Sequence, residues 1–174
     1  MVSEVVKTHL PNLKTCFIAT DYTCSPSVKD SSLDRYFIPA SSLSGDFLGG
    51  GVTSERLRAC GIPVRQMFRS SVRKEDAKRA FDIPTDHKHL VMMCGSMGCG
   101  PIRDITELLC ENISEDQTVT VVCGSNEELY EKLNKRFGSV PRVHIRAVVS
   151  DMPPLMQSAD LFLTKPGGLS STEA

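Results

Sequence analysis

Short apolar runs alternate with amphipathic segments through the second half of the sequence, and this alternation limits the fold more than any other feature. The apolar runs have the length and the β-branched content of strands, and they cover residues 88–94, 117–123, 142–148 and 160–164. Helical periodicity lies between them, over residues 102–113 and 127–137. Neighbouring parallel strands need a crossover, which is usually a helix. We therefore predict an α/β fold in which helices cover both faces of a parallel, Rossmann-like sheet.

The helical segments carry start signals. Pro101 stands at a first helical position, residues 125–128 have the pattern of a capping box, and Asp151 precedes two prolines of a first turn. Residues 170–173 form a second capping-box pattern, with Ser170 as the predicted N-cap.

The composition is that of a soluble globular chain without a membrane-spanning helix. Of the 174 residues, 40% are hydrophobic and 24% are charged. No apolar run approaches the roughly 20 residues that a spanning helix needs. The first residues lack the basic and apolar regions of a signal peptide, so we expect a cytoplasmic protein.

Cysteines and charge exclude further classes. The seven cysteines form no Cys-x-x-Cys pair, so zinc, redox and disulfide frameworks are disfavoured, and we expect most of them to be buried. A net charge of −1 gives no general attraction to nucleic acid. Residues 56–79 are locally basic, which predicts either a solvated surface or a contact with anionic lipid headgroups or phosphates.

The first part of the sequence has the pattern of the end of another α/β unit. Residues 15–20 and 35–39 are predicted strands, and residues 61–73, with glycine, proline and few periodic apolar positions, form the natural linker. We therefore predict three parts: residues 1–60, a linker and connecting helix over residues 61–84, and a truncated Rossmann-like domain over residues 85–174.

Glycine and small polar residues follow the four predicted strands of the second half. In a parallel sheet such loops lie at one edge, where ligands bind. Glycine lets the backbone approach a ligand closely, and helix N-termini carry partial positive charge, so we predict a phosphate-bearing ligand at this edge. The loops begin at Gly95, Gly124, Val149 and Lys165.

The glycine order of the first loop argues against two common nucleotide motifs. Residues 95–100 read Gly-x-x-Gly-x-Gly, which is not the Gly-x-Gly-x-x-Gly of NAD enzymes, and they lack the Lys-Ser/Thr of a P-loop. An NAD-type oxidoreductase is therefore disfavoured. For this loop alone, the alternative is a tight strand-to-helix turn that binds no ligand.

The last stretch, residues 164–174, has two interpretations. A capping box explains Ser170 and Glu173 without a ligand. The alternative is that Lys165 and the following glycines offer a cation and free amides to a diphosphate. The Glu173 carboxylate would then accept hydrogen bonds from the two hydroxyls of a ribose.

Six segments together resemble a known family of glycosyltransferases. They are TDYTCSPS (20–27), DRYFIP (34–39), GIPVRQ (61–66), MCGSMGCGPI (93–102), VVCGSNEELYEKL (121–133) and ADLFLTKPGGLSSTEA (159–174). They are similar to the monogalactosyldiacylglycerol synthases and processive diacylglycerol glucosyltransferases of glycosyltransferase family 28. The resemblance implies an incomplete GT-B fold, in which residues 1–60 end an acceptor-binding domain and residues 85–174 form most of a UDP-sugar-binding domain.

The resemblance also implies ligand contacts in the second half. Residues 95–100 and 165–170 would lie by the diphosphate and sugar, and residues 149–152 would meet uracil. Glu173 would bind the ribose hydroxyls. The implied binding residues are Gly95, Ser96, Met97, Gly98, Gly100, Gly124, Asn126, Val149, Ser150, Met152, Lys165, Pro166, Gly167, Gly168, Leu169, Ser170 and Glu173.

The activity implied by the resemblance is that of a hexosyltransferase. It would move a hexose from a donor of the UDP-glucose or UDP-galactose type to a lipid such as diacylglycerol, in glycolipid biosynthesis. Amides and helix dipoles would stabilise the leaving diphosphate, so no metal or other cofactor is implied. The implied partners are the donor, the lipid and the membrane surface, with no nucleic acid, and the implied location is cytoplasmic and peripheral on the cytoplasmic membrane face.

The catalytic residue stays unassigned. The histidine that is the family's usual candidate base would lie upstream of Met1, and Asp21 is the candidate on the acceptor side. We therefore expect the 174-residue chain itself to bind UDP weakly and to show little or no turnover. The alternative function is that of a non-catalytic, nucleotide-binding Rossmann-like module.

Overall fold

The chain forms two compact units, each built on a parallel sheet. The structure is a computed structural model that describes residues 2–93, 101–165 and 167–174. Unit 1 comprises Met1–Val64 and Gly167–Thr172, and unit 2 comprises Arg65–Pro166 and Glu173–Ala174. The domain limits at residues 1–60, 61–84 and 85–174 stay a prediction, because compactness does not itself define where a domain of a longer protein ends.

Unit 1 contains three short strands in the order β1-β2-β3, all parallel. The two strands predicted for this part are present, with fewer residues than predicted. The third strand and the two helices were not predicted. The elements are α1 (Val2–His9), β1 (Cys16–Ile18), β2 (Arg35–Ile38), α2 (Ser44–Gly49) and β3 (Leu57–Ala59).

One face of this sheet forms the core of unit 1. Phe17, Tyr36 and Leu57 lie side by side in the strand register, and Tyr36 is fully buried. Phe47 of α2 packs against this face. On the opposite face, Ile18 is 48% exposed and Arg58 is also exposed.

Unit 2 contains a four-stranded parallel sheet in the order β6-β5-β4-β7. All four strands were predicted, and each lies within its predicted range. The elements are α3 (Lys74–Ala80), β4 (Lys88–Met93), α4 (Ile102–Asn112), β5 (Gln117–Val122), α5 (Glu127–Phe137), β6 (Val143–Arg146), α6 (Met152–Ser158) and β7 (Leu161–Thr164). The last helix, α7 (Gly168–Glu173), belongs to unit 1 except for Glu173.

Both faces of the four-stranded sheet are packed. On one face, Met92 and Val121 pack with the buried apolar residues of α4 and α5. On the other face, Val91 and Val122 pack with Leu155 of α6, which is fully buried. This arrangement confirms the predicted Rossmann-like class, because parallel sheets are stable when helices cover both faces.

A buried polar cluster lies at the start of β4. The two ring nitrogens of His89 lie 2.9 Å from the Ser158 hydroxyl and 2.8 Å from the Thr120 hydroxyl. Ser158 donates its own proton to the Leu155 carbonyl at 2.6 Å, so it accepts from Nδ1–H of His89, and Nε2 then accepts from Thr120. Burial lowers the pKa of His89 to about 4, so the ring is neutral at pH 7.

Asp160 connects the same region to α3. Its carboxylate accepts hydrogen bonds from the His89 amide at 2.9 Å and from the ammonium groups of Lys78 and Lys74, each at 3.0 Å. Burial alone would raise the pKa of Asp160, but these hydrogen bonds hold it well below its ordinary value. The two lysines come from the segment predicted as locally basic, so these cations stabilise the fold.

Three of the predicted helix starts are wrong in detail. Before α4, Pro101 is the N-cap and not the first helical residue, which is Ile102. At α5 the N-cap is Asn126 and not Ser125, because the Asn126 side chain accepts the hydrogen bond from the Leu129 amide at 3.0 Å. The helix α7 begins at Gly168, so Ser170 lies inside it and is not its N-cap. Before α6, Asp151 occupies the predicted position without a side-chain capping bond.

The expectation that most cysteines are buried is also wrong. Within the described residues, Cys123 is buried, whereas Cys16 and Cys60 are exposed and Cys24 and Cys110 are half-buried. Burial raises the pKa of Cys123 to about 11, which keeps this thiol protonated. None of the helices that the structure describes has the length and apolar character required to cross a membrane.

Candidate functional site

The candidate site is the edge of the four-stranded sheet at which its strands end. The register aligns Arg146, Val122, Met93 and Thr164 in one row across the sheet. The four strands β4, β5, β6 and β7 therefore end at the same level. The chain passes from β4 outward to β5 and β6 and then returns to the other side of β4 as β7. This reversal creates the crevice in which open α/β sheets bind ligands.

Gly124 and Asn126 form the turn between β5 and α5. Gly124 has φ of +66°, in the left-handed region that favours glycine. This turn brings the backbone directly from the strand end to the helix, and the Asn126 side chain is occupied in capping that helix. The Asn126 backbone is occupied as well, since its amide donates to the Cys123 carbonyl at 3.4 Å and its carbonyl accepts from the Tyr130 amide at 3.1 Å.

The turn after β6 has an apolar surface. Val149 and Met152 pack partly into the core on the α6 side of the sheet, and Ser150 between them is exposed. The neighbouring Val148 is 72% exposed. An exposed valine can contact one face of a flat base, and neighbouring backbone groups can form hydrogen bonds with the edge of that base. The predicted uracil contact requires both interactions.

Thr164 ends β7 and has a hydroxyl that the sequence analysis did not single out. The Thr164 Oγ1 atom is buried and has no hydrogen-bond partner among the residues that the structure describes. A buried hydroxyl without a partner costs about 1–3 kcal/mol, so such a group calls for an explanation. The sequence signal for this hydroxyl is that Thr164 directly precedes Lys165, which is exposed.

Glu173 is held by an arginine from the start of unit 2. Its Oε1 accepts a hydrogen bond from Nε of Arg65 at 3.3 Å, and its side chain is only 12% exposed. The predicted capping interaction with the Ser170 amide is thus replaced by an ion pair. The carboxylate keeps free acceptor positions for a ligand.

The segment 167–170 makes its contacts within unit 1. The Gly168 amide donates to Oδ1 of Asp21 at 3.0 Å, and Tyr22 Oη lies 3.0 Å from Oγ1 of Thr172. A side chain at position 168 would lie 1.8 Å from the Thr20 carbonyl oxygen, so only glycine fits there. Asp21, predicted as an acceptor-side candidate, therefore holds the backbone of α7 in this structure.

Several predicted contact residues lie outside the described residues. They are Gly95, Ser96, Met97, Gly98, Gly100 and Pro166. Of the other predicted residues, the structure brings Gly124, Asn126, Val149, Ser150, Met152 and Lys165 to one sheet edge of unit 2. It describes Gly167, Gly168, Leu169 and Ser170 in unit 1. No predicted ligand contact is tested by these placements alone.

The basic stretch 56–79 is largely paired. Arg73 and Arg79 both bind Asp76, at 2.8 Å and 2.7 Å, and Lys74 and Lys78 bind Asp160. For the α3 part of the stretch, these ion pairs support the interpretation that the basic residues form a surface of the fold and are not a lipid or phosphate contact. Among the described residues, no group of three or more histidine, cysteine or carboxylate side chains could hold a metal ion.

The fold class is that of the GT-B glycosyltransferases, of which the chain represents part. The chain aligns with WaaG, a glycosyltransferase involved in lipopolysaccharide biosynthesis, with a TM-score of 0.55 and 15% identity over 92% of this chain and 55% of that one. It aligns with Anabaena HepE in complex with UDP-glucose with a TM-score of 0.56 and 12% identity over 92% of this chain and 49% of that one. It aligns with the Staphylococcus aureus MnaA–UDP structure with a TM-score of 0.56 and 17% identity over 78% of this chain and 38% of that one.

Sequence comparison confirms the predicted resemblance. Residues 2–64 match the family model described as monogalactosyldiacylglycerol (MGDG) synthase. A processive diacylglycerol beta-glucosyltransferase of Staphylococcus epidermidis is 27% identical over 165 residues, which are 93% of this chain and 41% of that protein. The protein of the same name from Bacillus licheniformis is also 27% identical, over 93% of this chain and 42% of that protein. The chain thus spans about two fifths of the length of these relatives.

Proposed function

We propose that the protein containing this sequence is a UDP-sugar-dependent hexosyltransferase that glycosylates a membrane lipid, with diacylglycerol as the acceptor. The observation that carries the proposal is the sheet edge of unit 2, where four parallel strands end in one row. The names of the aligned relatives support the reaction class and the acceptor. The UDP and UDP-glucose complexes among the solved structures support the donor class.

In the proposed site, each turn meets a different part of the donor. The turn at Val149 and Met152 receives the uracil base against apolar surface. Glu173 accepts the ribose hydroxyls, and Lys165 attracts the diphosphate. Thr164 ends β7 beside Met93 of β4, and its buried hydroxyl, which has no partner among the described residues, would donate to a phosphate oxygen.

The proposed chemistry is displacement at the anomeric carbon. A lipid hydroxyl attacks this carbon, the bond to the diphosphate oxygen breaks, and the proton of the hydroxyl goes to a base. UDP leaves with the negative charge, which Lys165 and backbone amides stabilise in place of a metal ion. We propose no metal and no other cofactor, and a peripheral position on the cytoplasmic face of the membrane, where the lipid acceptor is found.

Calorimetric titration of the 174-residue chain with UDP and with uridine tests the donor site. We expect Lys165→Gln to raise the Kd for UDP about tenfold, because a charge-assisted contact is lost. The Kd for uridine, which has no phosphate, should not change. Lys135→Gln, which removes an exposed lysine from the last turn of α5, is the matched control and should leave both values unchanged.

Two results would count against the proposal. One is a folded chain that releases no heat with UDP at millimolar concentration. The other is an equal effect of Lys165→Gln on UDP and uridine, which would place the lysine away from the diphosphate.

A further inference from the structure

We propose that Arg65 is a positioning residue that orients the Glu173 carboxylate toward the ribose hydroxyls of the nucleotide, and so sets the preference for ribonucleotides over deoxyribonucleotides. This inference rests on the proposed function, since it concerns the same donor site. It assigns a role to Arg65, which the sequence identifies only as part of the basic stretch 56–79 and of the segment GIPVRQ (61–66).

The carboxylate of Glu173 is almost enclosed and has one described cationic partner. The Glu173 side chain is 12% exposed, and Nε of Arg65 donates to its Oε1 at 3.3 Å. A carboxylate placed in such a position without a cation would be strongly disfavoured. The Arg65 contact therefore determines which oxygen of the Glu173 carboxylate faces the protein.

The Glu173 carboxylate keeps acceptor positions that a diol can use. An ionised carboxylate has about four lone-pair positions, and the Arg65 contact occupies one of them on Oε1. The second oxygen, together with the remaining position on Oε1, can accept two hydroxyl donors side by side. A cis-diol of ribose presents two such donors, whereas a 2′-deoxyribose presents one.

Arg65 is itself held in place by its own turn. The backbone amide of Phe68 donates to the Arg65 carbonyl at 3.0 Å, which closes a short turn over Gln66–Arg69. This turn brings the Phe68 ring beneath the guanidinium, 4.9 Å from the ring centre to Cζ. Stacking on an aromatic ring restricts an arginine that is otherwise 61% exposed, and it leaves the guanidinium edge directed at Glu173.

The role of Arg65 is therefore indirect. It does not need to contact the nucleotide, because its effect passes through the orientation of Glu173. The readout that separates this role from a general structural one is selectivity between UDP and 2′-deoxy-UDP, since loss of stability alone would weaken both ligands equally.

The experiment compares the Kd values of UDP and 2′-deoxy-UDP for the 174-residue chain by calorimetry. We expect the parent chain to bind UDP about tenfold more tightly, because the deoxy ligand leaves one acceptor unused. Arg65→Gln should reduce this ratio to about twofold by raising the Kd of UDP while leaving that of 2′-deoxy-UDP nearly unchanged. Glu173→Gln should make the two Kd values nearly equal. Adding Arg65→Gln to this variant should not change their ratio further.

Two further variants sharpen the result. Arg69→Gln removes an arginine of the same turn that makes no ion pair in the described part of the chain, and it should keep the tenfold ratio. Phe68→Leu removes the stacking platform but leaves the ion pair, and it should lower the ratio to an intermediate value. If Arg65→Gln does not fold, Phe68→Leu decides the question by itself.

The outcomes distinguish the two proposals. A folded parent chain that binds neither ligand overturns the proposed function. A parent chain that discriminates tenfold, with Arg65→Gln and Phe68→Leu discriminating equally well, overturns the positioning role of Arg65 and leaves the proposed function intact. An equal loss of affinity for both ligands in Arg65→Gln also overturns it.

Discussion

The sheets of the two units differ in how many of their faces are packed. In unit 2, Val121 points to one buried cluster and Val122 to another, and both residues are almost fully buried. In unit 1, Tyr36 faces the core, whereas Ile18 on the opposite face is 48% exposed. Parallel sheets are usually covered on both sides. Among the described residues, only the four-stranded sheet meets this condition.

This difference indicates where each unit obtains its stability. Unit 2 depends on apolar burial on two faces and on the polar cluster around His89. Unit 1 depends on one apolar face and on the close contact of Gly168 with Thr20, which belongs to a distant segment of the chain. Substitutions that remove one of these contributions should therefore affect the two units separately.

The largest effect is expected from Leu155→Ala in unit 2. Leu155 is fully buried on the second face of the sheet, so its truncation leaves a cavity and should lower the free energy of unfolding by about 4 kcal/mol. Hydrogen exchange of the β4 and β5 amides should report the loss. Leu161→Ala removes a leucine that is 50% exposed and should cost about 1 kcal/mol or less. Equal losses of unfolding free energy in Leu155→Ala and Leu161→Ala would show that the second face of the sheet is not a packed core.

The next effect is expected from Gly168→Ala in unit 1. A Cβ atom would lie 1.8 Å from the Thr20 carbonyl oxygen, so the backbone must move, at a cost of about 3 kcal/mol. Exchange of the β1 and β2 amides should become faster, while the β4 and β5 amides keep their protection. Gly45→Ala in α2 is the control, because nothing lies within 4 Å of its added Cβ. It should stabilise the helix by about 0.5–1 kcal/mol.

An intermediate effect is expected from acid. The pKa of His89 is about 4 in the folded chain and near 6.5 when exposed, so below pH 6.5 the unfolded chain binds a proton that the folded chain does not. The free energy of unfolding of unit 2 should therefore fall by about 2 kcal/mol between pH 6.5 and pH 5. Burial lowers the pKa of His144 as well, which adds to the same slope. His89→Gln should reduce the dependence of the free energy of unfolding on pH. An unchanged dependence would mean that groups other than His89 cause it.

The smallest effect is expected from Ile18→Ala on the open face of unit 1. Because Ile18 is already 48% exposed, the loss should be below about 1 kcal/mol in urea unfolding followed by exchange of the β1 and β2 amides. A loss near that of Leu155→Ala would mean that this face is covered in solution, and the contrast between the two sheets would then disappear.

The strands of unit 2 could be predicted because local pattern and tertiary packing agree. Residues 88–94 and 117–123 are continuous apolar runs, which is the pattern of a strand buried on both faces. The strand β3 has only three residues and contains an exposed arginine, so its sequence gives no such pattern. Its place in the sheet is fixed by pairing with β2.

The candidate site was predictable as a set of loops but not in its contacts. The turn at Gly124 follows from the glycine itself. The partner of Glu173 did not follow from sequence, because Arg65 lies 108 positions away, and the local capping-box rule favoured Ser170 instead. The rule failed because α7 begins at Gly168, three residues before the start that an N-cap at Ser170 would give, and only glycine can approach Thr20 so closely.

The discontinuity of unit 1 also determines the order in which the chain can complete its structure. Asp21 and Gly168 are 147 positions apart, and all of Arg65–Pro166 lies between the two segments of unit 1. During synthesis, the β1–β3 sheet emerges before the β4–β7 sheet, yet the residues that contact Thr20 emerge only after β7. The first sheet to be made is therefore the last to be finished. Limited proteolysis of ribosome-bound chains stalled before residue 167 should find unit 1 more open to cleavage than in the released chain.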